Sequence, residues 1–193
     1  MRLLMMGPQG VGKGTQAKIL AARLGIPHIS TGDVFRDNIA RETPLGAQIK
    51  DIIHTGGLVP DELTDQVVAD RLIEPDCANG WILDGYPRTV NQVNALDALM
   101  ERHGHALDAA VALLADPDVL IARINERIAL EGRADDNPEA IRARLATYEA
   151  KTAPLLDLYR TRGLLVEVPS QDRIEDTQSL IVSSLAEAGL TMP

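Results

Sequence analysis

Leu3-Leu4-Met5-Met6-Gly7-Pro8-Gln9-Gly10-Val11-Gly12-Lys13-Gly14-Thr15 is the stretch that decides the architecture. A four-residue apolar run reads as a buried strand, GxxxxGK follows at once, and Gln16 to Leu24 opens a helix. Strand, glycine loop and helix in that order make a phosphate cradle. Glycines at 7, 10 and 12 allow a sharp turn and close approach to phosphate oxygens, while successive N–H groups and the helix N-terminus supply partial positive charge. Lys13 adds a mobile point charge. The motif usually continues with Ser or Thr after the lysine, but Gly14 stands there, so Thr15 takes the hydroxyl role on the magnesium side. A glycine turn that merely joins strand to helix is the bland reading, and the agreement of all three parts outweighs it.

Outward from this point, Trp81 to Leu83, Ala109 to Leu114 and Leu164 to Val168 are further strand candidates, with a weaker one at His28-Ile29. Their apolar runs do not alternate, so both faces are covered and the sheet is parallel. Val93, Leu96 and Leu99 mark one helical face; Ile141, Leu145, Tyr148, Leu155 and Tyr159 mark another, with a kink or break expected near Ala153, before Pro154. Strand and helix alternating in this way predict a doubly wound α/β fold. Two stretches exceed a simple crossover. Ser30 to Glu74 holds three helical segments punctuated by Thr43-Pro44 and Thr55-Gly56-Gly57, an inserted helical unit; Glu126 to Pro138 is polar and reads as a flap.

The chain has 193 residues, enough for one well-buried core. A net charge of -9 disfavours a non-specific grip on nucleic acid or an anionic membrane, so any anionic ligand needs a local cluster of cations. Aromatics at 3% leave too little surface for a single-strand stacking platform. The one cysteine, Cys77, excludes an internal disulfide and a multi-thiolate zinc site. The apolar start is cut short by Gly7 and Pro8, too early for a signal-peptide core or a membrane span. A cytoplasmic location is the expectation.

The cations cluster near the strand ends. Asp84-Gly85-Tyr86-Pro87-Arg88 follows a strand and places a carboxylate where ligands of open α/β sheets collect; Asp84 is positioned to order the water shell of magnesium, and Arg88 to fork onto a phosphate. Ser30-Thr31-Gly32-Asp33-Val34-Phe35-Arg36 begins as a helix cap and carries Arg36 into the same region. Arg123 and Arg127 share a helical face, with Arg133 in the flap and Arg144 beyond it. Taken alone these four arginines read as a solvated face paired with Glu126, Glu131, Asp135, Asp136 and Glu139. Beside a phosphate cradle they read as counter-charge for phosphoryl transfer.

GPQGVGKGT, STGDVFR, GGLVP, DGYPRTVNQ and GRADD occur in an order and spacing that resemble the adenylate kinases over nearly the whole chain. The resemblance implies a five-stranded parallel core (1–29, 60–125 and 139–193), an AMP-binding subdomain at 30–59 and a short lid at 126–138. It implies that Gly10, Val11, Gly12, Lys13, Gly14 and Thr15 bind ATP phosphates, with Arg127 and a backbone contact near Gln171 also on ATP. AMP falls to Thr31, Arg36, Gly57, Leu58, Val59, Gly85, Tyr86, Pro87, Arg88 and Gln92, with Arg133 and Arg144 clamping phosphates, Arg123 nearby, and Asp135 and Asp136 as the lid-hinge acid pair. Mg2+ is implied near Thr15 and Asp84, largely through water. The implied activity is reversible ATP plus AMP to two ADP by in-line transfer, in a monomer without zinc.

Departures from the family pattern are Gln9 for a frequent proline, Glu126 for a frequent glycine, extra residues Ile128 to Glu131, and Pro169-Ser170-Gln171 in place of Gly-Thr. A pyrimidine monophosphate kinase and a nucleotide-dependent switch are the rivals; Thr31 and Gln92 speak for adenine by resemblance, and no NKxD guanine motif is present. His28, His54, His103 and His105 lack metal-ligand spacing and read as packing or solvated residues, Cys77 as inert, and Met5, Met6 and Trp81 as core.

Overall fold

The structure is a computed structural model and describes residues 1–131 and 137–191. Five strands form one all-parallel sheet: β1 (Arg2–Met6), β2 (His28–Ser30), β3 (Trp81–Asp84), β4 (Ala109–Leu114) and β5 (Leu165–Pro169), in the order β2-β3-β1-β4-β5. The phosphate-loop strand is therefore central, with Leu4 opposite Leu83 on one side and Ala110 on the other. Its unbroken apolar run has a direct cause. Leu3 and Met5 enter a cluster with Ile82, Val111, Leu113 and Val168, while Leu4 and Met6 enter a second with Leu83, Ala110, Ala112 and Tyr159 on the opposite face. At the sheet edge β5 loses this double cover, and its residues alternate in burial.

Helices α1 (Lys13–Leu24) and α9 (Ile174–Glu187) cover the first face; α5 (Val90–Arg102) and α8 (Pro154–Thr161) cover the second. Val93, Leu96 and Leu99 face inward, as the spacing predicts. Between β2 and β3 run α2 (Thr31–Ala40), α3 (Pro44–His54) and α4 (Asp61–Leu72); Phe35 of α2, Ile49 of α3 and Val59 of the loop before α4 build a small core of their own. The Ser30 hydroxyl accepts from Asp33 N at 3.2 Å and Thr43 caps α3, so the sequence punctuation marks true helix starts.

Two differences from the sequence reading stand out. Helix α6 (Pro117–Glu131) continues into the polar stretch that opens at Glu126, because Asn125 to Glu131 contains neither Gly nor Pro and is rich in helix formers. Residues 132–136, which include Arg133, Asp135 and Asp136, lie outside the described residues, and α7 (Pro138–Thr147) begins beyond them. The break before Pro154 is a π-helical turn, Tyr148–Thr152, closed by Ala153 N donating to Tyr148 O at 2.8 Å. Pro154 itself is the first residue of α8, where its missing N–H costs nothing.

Leu83 is fully buried against both neighbouring strands. Leu83→Ala should cost about 2–5 kcal/mol of stability, read as a lowered urea midpoint at constant slope.

Candidate active site

A cleft of about 360 Å³ opens where β1 and β3 end, between the glycine loop and helices α2, α3 and α7. The volume suits a nucleotide-sized ligand. Gly7 has φ 132°, and a Cβ there would lie 2.5 Å from the carbonyl oxygen of Leu113. At Gly10, φ is 87° and the equivalent atom would meet Leu120 O at 2.8 Å. The loop is thus pressed onto β4 and α6 so closely that only glycine fits. Left-handed Gly12 begins α1 with no side-chain cap, leaving the first-turn N–H groups for a ligand. Lys13 Nζ donates to Pro8 O at 2.8 Å across the loop.

Gly10, Gly12, Lys13, Gly14 and Thr15 line the cleft, whereas the Val11 side chain is core and only its backbone faces the loop's partners. Asp84 is nearly buried, and its Oδ2 would lie 3.5 Å from a Cβ on Gly14, beside the start of α1. Thr15 and Asp84 offer hard oxygen donors, the chemistry that suits a magnesium ion held mainly by water and phosphate. The residues present fit that ion. His28 Nε2 sits 3.3 Å from the same Asp84 oxygen, so this histidine is tied to the site rather than merely packed.

Across the cleft, the acceptor loop is braced from several directions. Arg88 Nε donates to Gly85 O at 2.7 Å, its backbone N–H donates to Gln92 Oε1 at 2.7 Å, and its carbonyl accepts from Thr152 Oγ1 at 3.1 Å. Thr31 Oγ1 donates to Gly85 O at 3.1 Å. Burial pulls the Arg88 pKa down, and the guanidiniums of Arg144 and Arg36 pull it further against the opposing carboxylate of Asp84. Three guanidiniums held this close favour an anion between them. Arg144 also donates to Ile53 O at 3.2 Å, and Arg36 pairs with Asp33 at 2.6 Å. Tyr148 lines the same space, and burial pushes its phenol up to about 12, which keeps it neutral.

Arg123 reaches the loop after β5 instead of surface acids: its guanidinium donates to Ser170 Oγ and to Gln171 O, both at 2.7 Å. Ser170 Oγ in turn donates to Val11 O at 3.0 Å, so Arg123, Ser170 and the glycine loop form one chain of contacts. Gln171 itself does not line the cleft. Arg127 lies on α6 one turn after Arg123; its side chain, like residue Arg133, lies outside what is described. Gly57, Leu58, Val59, Gly85, Tyr86, Pro87 and Gln92 all line the cleft.

Comparison with known proteins now decides the family: a family model described as adenylate kinase matches residues 5–164. The chain belongs to the adenylate kinase family. The adenylate kinase of Bifidobacterium longum (strain NCC 2705) is 56% identical over 185 residues, spanning 96% of this chain and 100% of that protein. That of Leifsonia xyli subsp. xyli (strain CTCB07) is 48% identical over 188 residues, 97% of this chain and 94% of its own. That of Bartonella tribocorum (strain CIP 105476 / IBS 506) is 45% identical over 192 residues, 96% and 100% respectively. The chain is an enzyme of this family, whose reaction is ATP plus AMP to two ADP.

Within the described residues of this adenylate kinase family member, no group of three or more His, Cys, Asp or Glu is placed to hold a metal. No described helix is long and apolar enough to cross a membrane. Cys77 is buried, and desolvation raises its thiol pKa, which leaves it unreactive. His54, His103 and His105 are exposed. Trp81, Met5 and Met6 are core, as the sequence predicts.

Sequence reasoning missed the acids behind the acceptor loop. Tyr86 OH donates to Asp65 Oδ1 at 2.7 Å, and burial raises the Asp65 pKa although this bond lowers it. Removing the hydroxyl raises that pKa further, which penalises the ionised folded state. Tyr86→Phe should therefore cost about 1–2 kcal/mol at neutral pH, and less as pH falls through the carboxylate range; urea midpoints at two pH values check it.

Proposed function

We propose that this cleft passes the γ-phosphoryl group of ATP directly to AMP, reversibly, giving two ADP with Mg2+ present. The observation that carries the reading is the confrontation of one glycine loop and Lys13 with Arg36, Arg88 and Arg144 across a single cleft. An ATP-side cradle and an acceptor-side arginine cluster are both needed only if two phosphorylated substrates meet. In this reading Gly10 to Thr15, with Arg127 and the backbone near Gln171, hold ATP. Thr31, Arg36, Gly57, Leu58, Val59, Gly85, Tyr86, Pro87, Arg88 and Gln92 hold AMP, and Arg123, Arg133 and Arg144 complete the cation ring.

No general base is required, because the attacking AMP oxygen is already anionic near neutral pH. Thr15 and Asp84 would hold Mg2+, largely through water, and the ion would supply positive charge to the phosphate oxygens. Lys13 and the arginines neutralise charge on the phosphoryl group as it moves in line. At a turnover of about 1–100 per second the barrier is about 15–17 kcal/mol, so losing one well-placed cation is felt strongly. Residues 30–59 act as the AMP-binding subdomain and 126–138 as the lid, closing on the core formed by 1–29, 60–125 and 139–193 to keep water from the γ-phosphate. The enzyme works as a cytoplasmic monomer.

The test is ADP production from ATP with AMP, UMP, CMP or GMP, with and without a magnesium chelator. AMP should give the highest kcat/KM, and chelation should abolish it. Preference for UMP or CMP would make the chain a pyrimidine kinase, and AMP turnover unaffected by chelation would remove magnesium from the account.

A further inference from the structure

Gln92 lines the acceptor end of the cleft and is 2% exposed, yet its amide is held from both sides by the protein itself. Its Nε2 donates to Asp61 Oδ1 at 2.8 Å, and its Oε1 accepts from Arg88 N at 2.7 Å. Asp61 is the first residue of α4, and its second oxygen accepts from Thr89 Oγ1 at 2.8 Å. A carboxylate has no proton to give, and a backbone N–H has no lone pair. Turning the Gln92 amide over would set its carbonyl against a carboxylate and its NH2 against an N–H, two buried mispairings at once. The amide therefore has one orientation. One Nε2 hydrogen and one Oε1 lone pair remain for a ligand.

We propose that Asp61, which together with the Arg88 N–H fixes the polarity of the Gln92 amide, tunes the cleft to select a 6-aminopurine monophosphate over its 6-oxo counterpart. This rests on the AMP reading above. The edge of a 6-aminopurine offers a donor at position 6 and an acceptor at N1; a 6-oxopurine offers the reverse. With the phosphate anchored among Arg36, Arg88 and Arg144, the base cannot slide to change register. A locked amide then satisfies only one of the two edges, and an unpaired buried polar group penalises the other. Asp61 touches no substrate and acts through Gln92, so it is a positioning residue.

Asp61→Asn tests this, because an asparagine offers both a donor and an acceptor, so of the two mispairings that hold the Gln92 amide only the one against Arg88 N–H remains. The readout is kcat/KM for AMP divided by kcat/KM for inosine monophosphate, a ratio independent of the folded fraction. The unaltered enzyme should favour AMP by about 100-fold or more, and Asp61→Asn should shrink that preference at least about tenfold, mainly through KM. Thr89→Ala also strips a bond from Asp61 and the α5 cap on the Gln92 backbone N–H, but leaves the Asp61–Gln92 side-chain contact; it should lower stability without moving the ratio. Equilibrium binding of the two monophosphates to the unaltered protein, which needs no variant to fold, should show the same order. A ratio in Asp61→Asn within twofold of the unaltered enzyme overturns the proposal. So does an equal fall in Thr89→Ala, or equal binding of the two nucleotides to the unaltered protein. Absence of any AMP-dependent ADP in the unaltered enzyme sinks the phosphotransfer reading itself, a separate result.

Discussion

Arg88→Lys should lower kcat by about 10³-fold or more while leaving the fold in place. The charge survives this exchange, but the geometry does not. Nε of Arg88 is spent on Gly85 O, which leaves the two terminal nitrogens as a planar fork beside Gly85; a Cβ there would lie 3.0 Å from one of them. A lysine ammonium cannot hold Gly85 and fork onto a phosphate at once. Arginines placed on a moving phosphoryl group are worth about 10³–10⁵ in rate, equivalent to about 4–7 kcal/mol of a barrier of about 15–17 kcal/mol. The stability change should stay within about 1 kcal/mol, since the one bond lost, to Gly85 O, is worth about that much and the charge beside Arg36 and Arg144 is unchanged. Steady-state kinetics and a urea melt decide it together. A kcat within tenfold of the unaltered enzyme would remove Arg88 from the transition state.

Gly7→Val should produce the second large effect, this time on stability and activity together. The backbone at Gly7 has φ 132°, where side chains are strained, and the added Cβ would lie 2.5 Å from the carbonyl oxygen of Leu113, a fully buried residue of β4. No flexible side chain can yield there; either β4 or the phosphate loop must move. Strain of about 1–3 kcal/mol and overpacking of about 1–3 kcal/mol add to a loss that is large beside a typical total of about 5–15 kcal/mol. Gly12→Ala separates the two causes. Its φ is 99°, but nothing lies within 4 Å of the new Cβ, so it carries strain alone. Denaturant midpoints should therefore fall further for Gly7→Val than for Gly12→Ala. Equal losses would mean that the close approach to Leu113 contributes nothing.

What the sequence makes legible is what depends on local chemistry. β1 and β4 announce themselves because both of their faces are covered, which leaves no polar residue to break the run. β2, only three residues long and at an edge, gives a weak signal, and the alternation in β5 reflects its single cover. The three inserted helices are readable from Pro44 and from Thr55-Gly56-Gly57, residues that stop and start helices wherever they occur.

The π-helical turn at Tyr148–Thr152 is not readable, because one extra residue in a helical turn changes register without changing composition. That register is what brings Thr152 to the Arg88 carbonyl. Asp61 and His28 were also missed. Their partners Gln92 and Asp84 lie 31 and 56 residues away, and only the parallel crossovers bring them together. Motif glycines, Lys13, Arg36 and Arg88 were legible for the opposite reason: phosphate chemistry restricts which residue types can serve, and the loops that carry them are short.

In the proposed reaction two nucleotides meet phosphate to phosphate in this cleft and exchange a phosphoryl group shielded from water. Loss of ATP, followed with and without AMP in otherwise identical solutions, tests it most directly. ATP should disappear rapidly with AMP, two ADP forming per ATP lost, and should persist when AMP is omitted. ATP loss at the same rate in both solutions, with inorganic phosphate released, would contradict it.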